Sequence, residues 1–85
     1  MANVEMYSTA VCPYCIRAEQ LLARKGAEVN KIYIDRDAEQ FKEMIQRAKG
    51  SRSVPQIFIN DIHVGGYDDL VELDMDGELE PMLEK

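Results

Sequence analysis

Cys12-Pro13-Tyr14-Cys15-Ile16-Arg17-Ala18-Glu19-Gln20-Leu21-Leu22 sets two cysteines at the mouth of an amphipathic segment. From Tyr14 to Lys25 the apolar positions Ile16, Ala18, Leu21 and Leu22 fall at helical spacing, with Arg17, Glu19 and Gln20 between them. Arg24 and Lys25 put cations near the negative helix end, and Gly26 follows as a residue tolerant of positive φ. Pro13 suits the first helical position, because it has no N–H to waste and its φ is already helical. Cys12 then sits with its sulfur near backbone N–H groups that lack intrahelical partners. Those donors and the positive end of the helix dipole favour thiolate over thiol, which lowers the pKa expected for Cys12. Cys15 lies three residues on, projects from the same face within bonding reach, and is expected to be less exposed and less ionised. The expectation is one attacking thiolate and one resolving thiol.

Working outward, Val4-Glu5-Met6-Tyr7 reads as a first strand, and Ser8 to Val11 delivers the chain to the cysteines. Val29, Ile32, Tyr33 and Ile34 form a second strand, closed by Asp35-Arg36-Asp37. A helix is expected over Ala38–Ala48 with Phe41, Met44, Ile45 and Ala48 as its buried stripe and Gly50 as its end. After Pro55, Gln56-Ile57-Phe58-Ile59 is a compact strand that turns at Asn60-Asp61 and returns as Ile62-His63-Val64. Gly65-Gly66 breaks that strand, Asp68-Asp69 open a helix, and a last helical turn is expected over Glu78–Leu83. The order is strand, helix, strand, helix, strand, strand, helix: a small mixed α/β sheet with a parallel crossover, an antiparallel hairpin and helices on both faces. There is no internal repeat, low-complexity stretch or linker, so the 85 residues are read as a single domain over 1–85.

Composition narrows the function classes. Asp and Glu number 16 against 10 Lys and Arg, a formal net charge of -6 that repels a polyanion such as nucleic acid. No apolar run approaches the roughly 20 residues of a membrane helix. Met1-Ala2-Asn3-Val4-Glu5 has neither the basic region nor the apolar stretch of a signal peptide, so the chain is read as soluble and cytoplasmic. The only two cysteines would close so short a loop that a bond between them removes little denatured-state entropy. That leaves chemistry or metal binding as the better reason for the pair, ahead of two small packed hydrophobes. A structural zinc site needs four ligands, and beyond the thiols the chain offers only His63. An iron–sulfur cluster shared between two chains stays open, with the stiffness of Pro13 against it.

Cys12-Pro13-Tyr14-Cys15, Ser53-Val54-Pro55 and Gly65-Gly66-Tyr67-Asp68-Asp69, in this order, resemble the dithiol glutaredoxins, in particular the small bacterial glutaredoxin 3 type. The match spans almost the whole chain. It implies a thioredoxin-like fold and glutathione-dependent thiol–disulfide exchange, with glutathione as co-substrate and no metal. It also implies that Pro55 is cis and that Val54 offers its N–H and C=O to the cysteinyl backbone of glutathione, with Ser53 in the same wall. Gly66 would let the chain approach the ligand closely. Amides near Asp68 and Asp69 would hold the γ-glutamyl carboxylate, and the side chain of one aspartate its amino group. Tyr14 would wall the groove beside Cys12. Lys42 stands, by its distance ahead of Ser53, where relatives carry Arg or Gln facing the glycine carboxylate. The partners implied are disulfide-containing or glutathionylated proteins, ribonucleotide reductase among them, met by a monomer. A redoxin reduced by thioredoxin reductase would share the fold without the groove, and the segment Gly66-Tyr67-Asp68-Asp69 speaks against it.

Two positions depart from the family pattern. Thr9 stands where many relatives have a lysine, which removes a cation that Arg17 or Arg52 would have to replace. Tyr67 stands where relatives are often small or cysteine, and would narrow the groove or stack against the ligand. His63 is read as a packing or surface residue rather than a catalytic one.

Overall fold

The computed structural model describes residues 2–84. In chain order it contains β1 (Val4–Ser8), α1 (Pro13–Arg24), β2 (Val29–Tyr33), α2 (Ala38–Arg47), β3 (Gln56–Ile59), β4 (Ile62–Gly65), α3 (Tyr67–Met75) and α4 (Leu79–Leu83). The four strands form one sheet in the order β2-β1-β3-β4. β1 and β2 are parallel, in register from Val4 opposite Val29 to Ser8 opposite Tyr33. β3 runs antiparallel to β1 and pairs with β4 through the Asn60-Asp61 turn. Both turn residues take positive φ, 51° and 66°, which matches the right-handed twist of a tight hairpin.

The period of two along each strand sorts side chains to the two faces of the sheet. Val4 and Met6 on β1 and Ile57 and Ile59 on β3 join Ala18, Leu21 and Leu22 of α1, Leu70 of α3 and Leu79 of α4. Tyr7 and Phe58, one step out of phase, meet Met44 and Ala48 of α2 on the other face. Helices therefore cover both faces, as the sequence predicts. The predicted element boundaries differ by a residue or two. α1 opens at Pro13, the residue suited to the first helical position, with Cys12 as its N-cap; it ends at Arg24 with Lys25 as its C-cap, and α2 ends at Arg47 with Ala48 as its C-cap. β2 stops at Tyr33, although the Ile34 N–H still donates to the Ser8 carbonyl at 3.0 Å.

The α2 face contains a polar network invisible to periodicity. The Arg47 guanidinium grips the Glu5 carboxylate at 3.0 and 3.3 Å, donates to the Tyr7 hydroxyl at 2.9 Å and stacks on Phe58 at 4.0 Å. The Tyr7 hydroxyl donates in turn to Glu43 at 2.7 Å. Burial, then the hydrogen bond to Glu43, raises the Tyr7 pKa above its ordinary 10.0. The folded state thus prefers the neutral phenol. That contribution is fully present below the unfolded value and is lost as pH rises through the folded one. The urea midpoint is expected to fall as pH rises past 10, less steeply in Tyr7→Phe than in the parent. Equal slopes would mean that Tyr7 is not linked to folding.

Candidate active site

Local chemistry places Cys12. The β1–α1 loop ends in an extended residue, Cys12 (φ −151°, ψ 96°), followed by Pro13 as the first helical residue. The Cys15 N–H donates to Cys12 Sγ at 3.1 Å, so one orphan amide of the helix start is spent on sulfur. No acidic side chain occupies the first turn of α1 to oppose negative charge there. Cys12 and Cys15 are joined as a disulfide, with Cα atoms 5.2 Å apart. Both are buried, Cys12 at 8% exposure and the deeper Cys15 at 4%.

Beside this pair lies a cavity of about 420 Å³. Its walls bring together Tyr14, Ser53, Val54, Pro55, Gly66, Tyr67, Asp68 and Asp69, all expected at the site. The Val54–Pro55 peptide is cis. Val54 precedes β3 and so lies outside the sheet ladder, and both Val54 and Tyr67 pack against the cluster that contains the two cysteines. The cysteines themselves line a separate small cavity of about 70 Å³ with Ser8, Thr9, Glu19 and Lys31. Lys42 is not brought to the larger cavity. Its side chain is 73% exposed on α2, with its ammonium 3.8 Å from Glu39.

The two aspartates have different environments. Asp69 Oδ2 accepts from the Gly66 N–H at 3.0 Å and caps α3. Gly65, at φ +113°, leaves room for that carboxylate, which a Cβ would strike. Asp68 is exposed and lines the cavity. Tyr14 and Tyr67 face each other with ring centroids 6.0 Å apart, and the Arg17 guanidinium lies 5.4 Å over the Tyr14 ring. Arg17 thus rests on Tyr14 without lining the cavity, and the Thr9 hydroxyl turns locally to the Val11 carbonyl at 3.3 Å.

Four lining residues were not expected from the sequence: Ser51, Gln56, His63 and Gly65. Gln56 is buried at the first position of β3, a polar residue where the strand pattern places a core position. That mismatch was the available signal. His63 packs as expected, stacked on Phe58 at 4.8 Å, yet its ring also reaches the cavity wall. Among the described residues no group of three or more His, Cys, Asp or Glu is placed to hold a metal ion, and no helix is long and apolar enough to cross a membrane.

The glutaredoxin family profile matches residues 4–64. Glutaredoxin 3 of Escherichia coli strain K12 is 51% identical over 83 residues, covering 98% of this chain and 99% of the relative. The solution structure of glutaredoxin from Brucella melitensis superposes with a TM-score of 0.84 at 48% identity, over 98% of this chain and 89% of that one. The crystal structure of a buckwheat glutaredoxin–glutathione complex gives 0.87 at 32% identity, over 98% and 77%. A four-stranded mixed sheet of the thioredoxin-like type, a dithiol pair at a helix start and these likenesses agree: the chain belongs to the glutaredoxin family and is a thiol–disulfide oxidoreductase working through the Cys12–Cys15 redox pair.

Proposed function

We propose that this chain reduces protein disulfides and protein–glutathione mixed disulfides with glutathione as co-substrate, Cys12 attacking and Cys15 resolving. The observation that carries the reading is the cavity running from Val54-Pro55 to the first turn of α3, beside a sulfur capping α1. Val54 offers its N–H and C=O for a short strand addition by the cysteinyl backbone of the tripeptide. The first-turn N–H groups of α3 donate to the γ-glutamyl carboxylate. Asp68 rather than Asp69 pairs with the ammonium of that residue, because the Asp69 carboxylate is committed to Gly66. Ser53, Pro55, Gly66, Tyr14 and Tyr67 complete the walls. Lys42, exposed on α2 and away from the cavity, acts on the glycine carboxylate only through its distant charge.

The chemistry balances without an outside oxidant. With a glutathionylated protein, the Cys12 thiolate attacks the glutathione sulfur, the protein thiolate leaves, and a second glutathione thiolate then releases oxidised glutathione from Cys12. With a protein disulfide, Cys15 loses its proton and attacks the Cys12 sulfur of the mixed disulfide, expelling the reduced protein. The Cys12–Cys15 bond so formed is the one seen here, and two glutathione molecules reduce it.

The same reading makes residues 1–85 a single domain that works as a monomer, since both sulfurs come from one chain. A lone close-spaced pair suits the cytoplasm, where thiols are kept reduced. The net charge of -6 suits protein substrates with basic rims, and ribonucleotide reductase is the substrate that the family likeness brings forward.

The test is the alkylation rate of Cys12 against pH in the Cys15→Ser protein, with and without S-methylglutathione, which cannot exchange. The expected midpoint lies below that of a free thiol, and the ligand slows alkylation. A free-thiol midpoint with no protection would overturn the reading.

A further inference from the structure

We infer that Gln56, held by His63, is a positioning residue that sets Ser51 and Ser53 as a hydroxyl pair receiving one carboxylate of glutathione. The inference rests on the groove reading above.

Gln56 is 3% exposed, and its side-chain amide is fully engaged. The two hydrogens of Nε2 serve three acceptors, Ser51 Oγ at 2.9 Å and, through one shared hydrogen, the Ser53 carbonyl at 3.0 Å and Ser53 Oγ at 3.2 Å. Because the Ser53 carbonyl can only accept, the amide nitrogen must face it, which turns Oε1 the other way. There Oε1 meets His63 Nε2 at 2.7 Å, so Nε2 must carry a hydrogen, in the neutral ring as in the charged one. The imidazole cannot swing away cheaply, because it stacks on Phe58 at an interplanar angle of 24°. Phe58 is itself backed by the Arg47 guanidinium at 4.0 Å. A rigid line thus runs from the Glu5–Arg47 pair through Phe58, His63 and Gln56 to the loop before Val54.

The two serine hydroxyls lie 3.2 Å apart, and each accepts from the Gln56 amide. One hydroxyl proton is shared between them, and the other has no acceptor among the described residues. Both serines line the cavity, so that free O–H points the pair toward an acceptor arriving there. An anionic oxygen is the acceptor that strengthens such a bond most. Among the described residues no lysine or arginine lines the cavity, so the serines supply a neutral donor to its wall.

The experiment measures calorimetric binding of S-methylglutathione, together with kcat and KM for glutathione on a glutathionylated peptide, in folded protein. Gln56→Leu is expected to weaken binding and raise KM about tenfold while kcat stays within about twofold, the loss of roughly one charge-assisted hydrogen bond. His63→Phe keeps the stack but removes the donor, and is expected to weaken binding about threefold to fivefold; His63→Gln, which keeps a donor, restores it to within about twofold. Because His63 acts through Gln56, the double variant Gln56→Leu/His63→Phe should bind no worse than Gln56→Leu alone. Parental affinity in Gln56→Leu, multiplicative losses in the double variant, or a fall in kcat at unchanged KM would each overturn the inference. Failure of the parent protein itself to bind S-methylglutathione would instead remove the groove reading on which the inference stands.

Discussion

Cys12→Ser is expected to abolish reduction of both glutathionylated and disulfide-bonded substrates, a fall of at least about a thousandfold, because a serine hydroxyl is not ionised at neutral pH and cannot form the mixed disulfide. Cys15→Ser separates the two reactions. It should lose reduction of protein disulfides yet keep deglutathionylation within about threefold, since that exchange needs only one sulfur and a second glutathione. The asymmetry follows from position. Cys12 caps α1 with an amide donated to its sulfur at 8% exposure, whereas Cys15 lies one turn deeper at 4% in the cluster that both cysteines share with Ala18, Met6 and Ile57. A coupled assay with glutathione reductase on a glutathionylated peptide, alongside insulin disulfide reduction, reads both activities. Full activity of Cys12→Ser in either assay would end the assignment of roles.

Gly65→Ala should produce the largest loss of stability among single-methyl substitutions at the site. Gly65 sits at φ +113°, a conformation L side chains rarely adopt, and the added Cβ would strike the Asp69 carboxylate. The substitution therefore strains the backbone, about 1–3 kcal/mol, and expels the cap that Asp69 provides to Gly66, about 1 kcal/mol more. Chemical denaturation should show a combined loss of about 2–4 kcal/mol, with KM for glutathione raised several-fold because the first turn of α3 frays. Asp69→Ala alone should cost only the cap. Wild-type stability in Gly65→Ala would show that the strand end and the helix cap do not approach so closely in solution.

Much of the catalytic arrangement is legible because it is local. Pro13 and the apolar spacing of Ala18, Leu21 and Leu22 specify a helix start within one turn of Cys12, and the dipole and free amides come with any such start. Asn60-Asp61 and Gln56-Ile57-Phe58-Ile59 specify the hairpin for the same reason. Groove residues are legible only through the family pattern, since Ser53, Gly66 and Asp68 carry no periodic signal that separates binding from turn formation. Lys42 shows the limit of matching by distance along the chain. A helix turns a side chain by about 100° per residue, so correct spacing does not settle which way an ammonium points, and here it points to Glu39.

By itself the sequence determined the order of the elements, the two-faced sheet and the placement of a thiol pair at a helix mouth, because each depends on neighbours a few residues apart. Only the tertiary structure decided that Gln56 bridges His63 to Ser53, that Asp69 is spent on Gly66 while Asp68 has no side-chain partner among the described residues, and that Arg47 reaches Glu5 across 42 positions. Those pairings join separate elements, and a hydrogen bond depends on angles and tenths of an ångström that are set by how the elements pack.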